Sequence, residues 1–370
     1  MIRIDEIYQN YFWPHVRKDI RNTRLYYCDP PGSTDPDHLM NFGQDSPEDC
    51  FIYMHDQEPV HPDVHHSLFN KVEQENNSLH EWSGPLRSAF VHSEWNSEFV
   101  NQICKFYNWT PYYYFFHGWA ALDWYRGYDK SLLIQHPQDR KIKSAYISPN
   151  RIVGGKRLHR LLLLYMTSRH GVKNSFVSFP KICPEENVDV IELARKRFPE
   201  YPDMPNHLNS LNLPWNFPYE EGHPMHSCWL SLFDLCEQSA VHVVTETVFD
   251  GKRNHLTEKT FKPICLRMPF VLLSTAHSLQ YLRSYGFKTF SSLWDESYDN
   301  ESNDEKRLEK VAQLLNNFDD MSTGELEQLY RHSIPIIEHN FQHFYSGDFE
   351  NILWKELNTM MERMKRDFKL

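Results

Sequence analysis

No apolar run in this sequence is long enough to cross a bilayer. The longest, residues 161–166, falls far short of the roughly 20 residues a spanning helix needs and sits inside an amphipathic pattern, so neither a membrane anchor nor a membrane partner is expected. Residues 1–10 carry Arg3, Asp5 and Glu6 with no apolar h-region, and the expectation is a chain that starts mature, without a signal peptide. The seven cysteines, at 28, 50, 104, 183, 228, 236 and 265, include no C-x-x-C pair and are odd in number. That excludes a zinc ribbon and a complete disulfide framework, and makes a reducing cytoplasm the simpler home. Positive charge is in deficit: 39 Lys and Arg against 50 Asp and Glu give a net charge of -11. Non-specific nucleic-acid binding, which relies on neutralising phosphates, is weakened by that balance, although a local basic face stays open. Gly-x-Gly-x-x-Gly, the P-loop and Gly-x-Ser-x-Gly are all missing, which lowers dinucleotide, ATPase and hydrolase readings.

What is present is a globular composition, 40% hydrophobic, 15% aromatic and 24% charged over 370 residues. That length suits two domains of about 150 to 200 residues each. An apolar run at residues 50–54 ends in His55-Asp56-Gln57-Glu58-Pro59, and a helix is predicted over 62–74. A short strand at 88–91 ends in His92-Ser93-Glu94, followed by a helix over 96–107 and an aromatic strand over 112–116. The pattern resumes with a strand at 145–148, a loop at 149–156, and a helix in which Leu158, Leu161, Leu162, Tyr165 and Met166 fall at helical spacing, closed by Gly171. Further predictions are a helix at 229–238, a strand at 241–245, a helix from Thr257, a strand at 270–274, a helix at 278–285 and a strand at 287–290. Helical segments near 304–317, 322–339 and 348–367 complete the chain. Strands alternating with helices imply parallel, doubly wound sheets. A hinge is expected within 129–143, and residues 198–224, rich in Pro and Asn, read as a flap or insertion without sustained structure.

The most informative stretch is His255-Leu256-Thr257-Glu258-Lys259-Thr260-Phe261-Lys262-Pro263, set between an apolar strand and Pro269-Phe270-Val271-Leu272-Leu273. An acid beside a base at the start of a helix, at the C-terminal edge of a parallel sheet, can hold a nucleotide: the lysine meets phosphate and the carboxylate accepts from sugar hydroxyls. Thr257-Glu258-Lys259, the helix after it and the strand from Pro269 resemble the donor-site signature of α-1,3-fucosyltransferases and related glycosyltransferases. The resemblance implies the GT-B architecture, two facing Rossmann-like domains around a cleft: 1–140 on the acceptor side, 141–345 binding the nucleotide-sugar, and 346–370 a helix crossing back onto the first domain. It also implies inversion at the anomeric carbon. The runs His55 to Pro59, His92 to Glu94 and Gly286 to Asp299 resemble, in addition, glycosyltransferase-like proteins of large tailed phages, which would place the chain in a host cytoplasm.

Arg157 and Arg160 stand in the first turn of a helix whose N-terminus is already positive, an arrangement that costs a few tenths of a kcal/mol unless an anion answers it. With Arg151 and Lys156 in the preceding loop they form a candidate diphosphate site. Donor-binding candidates are therefore Arg151, Arg157, Arg160, Glu246, Thr257, Glu258 and Lys259. Proton removal from an acceptor hydroxyl needs a carboxylate or imidazole, and the strand-end acids Glu94, Glu58 and Asp56 are the catalytic candidates. His61, Asp63, His65 and His66 read as surface residues rather than metal ligands, and Asp35-Pro36-Asp37 lacks the strand that a metal-binding Asp-x-Asp would follow. No metal and no cofactor beyond a nucleotide-diphosphate sugar is expected. The aromatic cluster of Tyr112, Tyr113, Tyr114, Phe115, Phe116, Trp119 and Trp124 reads as core before it reads as a sugar platform. The acceptor stays open between a 5-hydroxymethylated pyrimidine in DNA, prompted by the phage resemblance, and a glycan or protein hydroxyl; a non-catalytic nucleotide-binding protein is the rival of another class.

Overall fold

The computed structural model describes residue 14 and residues 23–28, 35–42, 50–83, 87–126, 137–184, 186–217 and 230–368. In chain order the first elements are β1 (Thr23–Cys28), β2 (Leu39–Phe42), β3 (Cys50–His55), α1 (Pro62–Ser83), β4 (Arg87–His92), α2 (Glu98–Tyr107), β5 (Thr110–Tyr113) and α3 (Phe116–Arg126). There follow β6 (Ser144–Pro149), α4 (Leu158–Ser168), β7 (Phe176–Ser178), the short strands β8 (Ile182–Cys183) and β9 (Val188–Asp189), α5 (Val190–Arg197), α6 (Met204–Ser210) and α7 (Phe233–Gln238). Last come β10 (Ser239–Thr245), α8 (Glu258–Cys265), β11 (Phe270–Leu273), α9 (Ser278–Ser284), α10 (Asp304–Asp319), α11 (Thr323–Tyr345) and α12 (Asp348–Phe368).

The chain divides into two compact units, one comprising Met1–Arg126, Gly251–His255 and Gly347–Leu370, the other Gly127–Asp250 and Leu256–Ser346. Each is an α/β unit of Rossmann-like type. The first carries a sheet in the order β2-β1-β3-β4-β5, parallel except where β2 pairs antiparallel with β1. Its register sets His55 opposite His92, so two strand ends deliver polar residues to one edge. Beneath that edge Tyr53, Phe69, Phe90 and Trp109 pack ring against ring, with centroids 5.7 to 6.1 Å apart. Ser97 caps α2, accepting from the Val100 amide, and Asn108 closes the helix in the left-handed region at φ 56°. α12 belongs to this unit: Tyr112 donates to Asp367 and the Phe115 amide donates to Glu356. Gly118 permits the approach, since a Cβ there would lie 3.0 Å from Leu353 and Phe349.

The second unit is built on a fully parallel sheet, β11-β10-β6-β7. Every residue of β10 is buried, as expected of a central strand covered on both faces. α4 contributes Leu161, Leu162, Leu163 and Leu164 to its core. Among the described residues no helix is long and apolar enough to cross a membrane.

Several sequence expectations need correction. The boundary falls after Arg126, not after 140; Arg140 belongs to the second unit because its guanidinium is held by the carbonyls of Cys236, Glu237 and Arg267. Residues 129–136 of the expected hinge lie outside the described residues. The aromatic strand stops at Tyr113 and Phe116 opens α3. Within the expected irregular stretch lies α6, capped by no side chain but started by Pro205 in its first turn; residues 218–224 are outside the description, as is residue 229 of the helix expected at 229–238. Residues 287–290 form no strand. Asn340 takes both backbone groups of Lys288, and Glu296 accepts from the Phe290 amide, so side chains supply what a ladder would.

Candidate functional site

In the second unit the chain leaves β6 towards β7 on one side and later returns on the other through β10 to β11. Strand order therefore reverses between β6 and β10, and the loops beyond their carboxyl ends diverge there, which is where open α/β sheets leave a crevice for ligands. The β6 loop runs into α4 and the β10 loop into α8, so two helix beginnings flank the reversal.

Glu246, the first residue past β10, ties these beginnings together. Its carbonyl lies 3.2 Å from His159 Nε2 and 3.3 Å from Arg160 Nη2, both on the first turn of α4. Its carboxylate accepts from the Thr257 amide at 2.9 Å and from the hydroxyls of Thr257 and Thr260 at 2.6 Å each, at the start of α8. The side chain is wholly buried, and donors on both oxygens offset the desolvation that an unpaired carboxylate would suffer. Thr257 in turn caps α8. His159 stacks on Phe249 with centroids 4.8 Å apart; burial first, then the adjacent Arg160 charge, holds its imidazole well below the ordinary value, so it stays neutral. Asn150, at the end of β6, accepts from the Thr245 hydroxyl at 2.9 Å and locks the two strand ends side by side.

Lys259 projects from this frame half-buried, its ammonium 3.0 Å from the Thr257 hydroxyl, 3.2 Å from that of Thr247 and 3.2 Å from the Glu258 carboxylate. Glu258 is buried, in keeping with its place in the first turn of α8, where the helix dipole favours an acid. Arg151 and Arg157 are half-buried on the loop after β6. Arg160 behaves differently from the expectation. Its guanidinium turns inward and is spent on the carbonyls of Ile152 and Thr245 at 2.7 Å, since carbonyls at strand ends and in the loop between them need donors once buried. A second correction concerns the glycine loop: the Gly155 amide, at φ 57°, donates to the Glu186 carboxylate at 2.5 Å, so a protein acid already occupies one donor that was expected to meet an anion.

The acids proposed from sequence as catalytic lie in the first unit. Asp56 is buried and accepts from the Tyr114 hydroxyl. Glu58 is exposed. Glu94 is 1% exposed, and accepts from the Val60 amide at 2.7 Å, the Ser97 hydroxyl at 2.5 Å and Arg253 at 3.1 Å. Burial pushes its carboxyl above the usual carboxylate range, opposed by the Arg253 guanidinium, Ser97 and the Val60 amide. A group so engaged is an anchor: it fastens the segment Gly251–His255, whose Asn254 exchanges amide–carbonyl bonds with Trp95 at 2.8 Å. His65 is buried rather than a surface residue, with its Nδ1 accepting from the His61 amide. Among the described residues no group of three or more His, Cys, Asp or Glu is placed to hold a metal ion.

Sequence reasoning missed Thr247, Thr260, His159 and Asn150. A signal was present: Thr245-Glu246-Thr247 is echoed by Thr257-Glu258-Lys259-Thr260, hydroxyls flanking acids on both sides of one strand-to-helix loop. Comparisons with protein-family models, curated proteins and solved structures return no match for this chain.

Proposed function

We propose that this chain is a glycosyltransferase that moves a sugar from a nucleotide-diphosphate donor to an acceptor hydroxyl, with a GT-B arrangement of its two units. The observation that carries this reading is Glu246, whose carbonyl holds the start of α4 and whose carboxylate holds the start of α8. Two helix N-termini at one sheet reversal concentrate partial positive charge and amide donors, which suits a diphosphate. Lys259 adds a full charge at that place. A phosphate oxygen arriving at its ammonium exchanges the neutral acceptor of Thr247 for an anionic one, adding the attraction between opposite charges. Arg151 and Arg157 are the further cations of the grip.

In the transfer, the acceptor oxygen bonds to the anomeric carbon while the bond from that carbon to the diphosphate oxygen breaks. The electron pair leaves on the diphosphate, where Lys259 stabilises it. The acceptor proton goes to a carboxylate, and we assign it to Glu58, the exposed acid of the three candidates. Inversion at the anomeric carbon belongs to the same proposal.

Calorimetric titration with UDP, GDP and their sugar conjugates tests the donor half. Lys259→Ala is expected to weaken the binding of whichever diphosphate binds by about 10- to 100-fold, the range for losing a charged hydrogen bond, with an unchanged far-UV spectrum. Unchanged affinity would remove the grip. Turnover of the bound donor that survives Glu58→Gln undiminished would reassign the base, and donor binding without turnover in any acceptor panel would leave a nucleotide-binding protein.

A further inference from the structure

The first unit carries a recess that the donor reading does not use. It is lined by His92 and Glu94 from the end of β4, by Trp95, Tyr113, Asn96 and Asn101, and by Arg363 of α12. All of these residues belong to that unit. The cavity measures about 190 Å³, below the roughly 300 Å³ at which pockets for drug-sized ligands begin. It has room for a single ring.

Trp95 gives the recess its character. An indole is normally kept from water, yet this one is 44% exposed. Its backbone is clamped by the reciprocal bonds to Asn254, so the ring is presented from a fixed point. Tyr113 stands against it edge-on, with centroids 5.0 Å apart and planes at 64°. The next residue, Asn96, adopts the left-handed region at φ 51°, a conformation Asn tolerates better than most residues but one that still costs energy. Asn96 itself is exposed and lines the recess beside the indole.

The charges around the recess are spoken for. Glu94 is paired with Arg253 at 3.1 Å, Glu98 beyond the edge with Lys252 at 2.9 Å, and Arg363 with Asp367 at 3.4 Å. The imidazole of His92 is held in its neutral form by burial. Each cation there is matched by an acid, so the rim has no excess of positive charge to draw in a ligand carrying phosphates. What fits is a neutral molecule with one apolar face for the aromatic rings and polar groups around its edge for the amides, and those are the properties of a sugar ring.

We propose that this recess is a saccharide-binding subsite, in which one pyranose ring lays its apolar face on Trp95, with Tyr113 against its edge, while Asn96 and Asn101 hydrogen-bond its hydroxyls. The subsite stands on the first unit alone and does not depend on the diphosphate grip. Its test is saturation-transfer NMR on the full chain with the methyl glycosides of glucose, galactose, mannose, fucose and N-acetylglucosamine, alongside CMP and a short single-stranded oligonucleotide. At least one glycoside is expected to bind. Trp95→Ala should weaken it on the order of tenfold, as loss of an aromatic contact does, and Trp95→Phe should restore most of the loss; thermal melts confirm that both variants fold. Lys259→Ala should leave glycoside binding unchanged, which separates this subsite from the donor grip. The proposal is overturned if none of the glycosides binds, if binding ignores Trp95, or if the nucleotide or oligonucleotide displaces the glycoside.

Discussion

Arg253 and Glu94 are each about 1% exposed, and their pairing fixes more than their own side chains. Arg253 also donates to the Val60 carbonyl at 2.7 Å and lies over the Phe99 ring at 4.7 Å. Removing one partner strands the other charge in the interior. Arg253→Ala is therefore expected to destabilise the first unit by about 3–5 kcal/mol. Arg253→Met combined with Glu94→Gln should recover part of that loss, since no charge is left unpaired; a double-mutant cycle in urea measures both. From sequence Glu94 and Glu58 stand equally as catalytic acids. A carboxylate at a strand end looks the same in sequence whether it faces substrate or is closed over by a segment from residues 251–255, more than a hundred positions away in the chain.

Histidine supplies the pH dependence at the same scale. Burial holds His65 down to about 4 and His92 to about 3, against an ordinary value of 6.5. The rings of His55 and His61 lie 4.6 and 6.1 Å from that of His65, so charging one disfavours charging the next. Folded, these groups stay neutral where the unfolded chain binds protons. Their contribution is therefore complete above about pH 6.5 and is lost as the pH falls from there towards the folded values. Urea unfolding between pH 7 and pH 5 should show stability falling with acid. His65→Gln should reduce the slope by close to one proton, about 1.4 kcal/mol per pH unit; an unchanged slope would mean that His65 is already charged in the folded protein.

Among the elements, those that were legible carry their own period and stop signals. α4 shows its leucine stripe and its Gly171 stop, while β10 and β11 are apolar runs bounded by polar loops. Short pieces whose existence depends on neighbours were not legible: β7 is three residues long, β8 and β9 two each, and α5 is announced only by Asp189, which accepts from the Ile191 amide. The segment 287–290 failed in the other direction. Phe287-Lys288-Thr289-Phe290 alternates like a strand, with Phe287 and Phe290 buried, but no free strand edge meets it among the described residues. Asn340, 2% exposed on α11, substitutes for the ladder by receiving the Lys288 amide and donating to its carbonyl. Asn340→Ala should cost about 2 kcal/mol by leaving both groups unanswered, and Asn340→Asp, which buries a carboxylate against the Lys288 carbonyl, should lose at least as much at neutral pH. Equal stability of all three chains would show that water satisfies Lys288 as well as Asn340 does.

For the whole molecule, the division into units is not a division of the chain at one point. The first unit takes its sheet from the N-terminal residues, a five-residue segment, Gly251–His255, from between β10 and α8, and α12 from the C-terminal end. Contiguous reading from sequence anticipates two α/β bodies and a last helix, but not the inserted segment, whose docking rests on Arg253 and on backbone bonds that no periodicity announces. α12 permits the sharpest test. It buries Phe349, Leu353, Leu357, Met360, Met361, Met364 and Phe368, a single face at helical spacing, and sets Trp354 against Trp119 at 4.6 Å and Phe368 against Tyr112 at 6.1 Å. At roughly 1.5–3 kcal/mol for each large apolar side chain, that burial is on the order of 10 kcal/mol or more, comparable with the whole stability of an ordinary domain. A chain ending at residue 346 should therefore lose amide-exchange protection in β3, β4, β5 and α3. Protection in β6, β10, β11 and α4 should persist, because the second unit keeps its own parallel sheet and core. Adding a peptide of residues 347–370 should restore protection in the first unit in proportion to its concentration, as expected of a segment that binds only the folded form. If the truncated chain kept its protection throughout, α12 would be an attachment to the first unit rather than a part of its core.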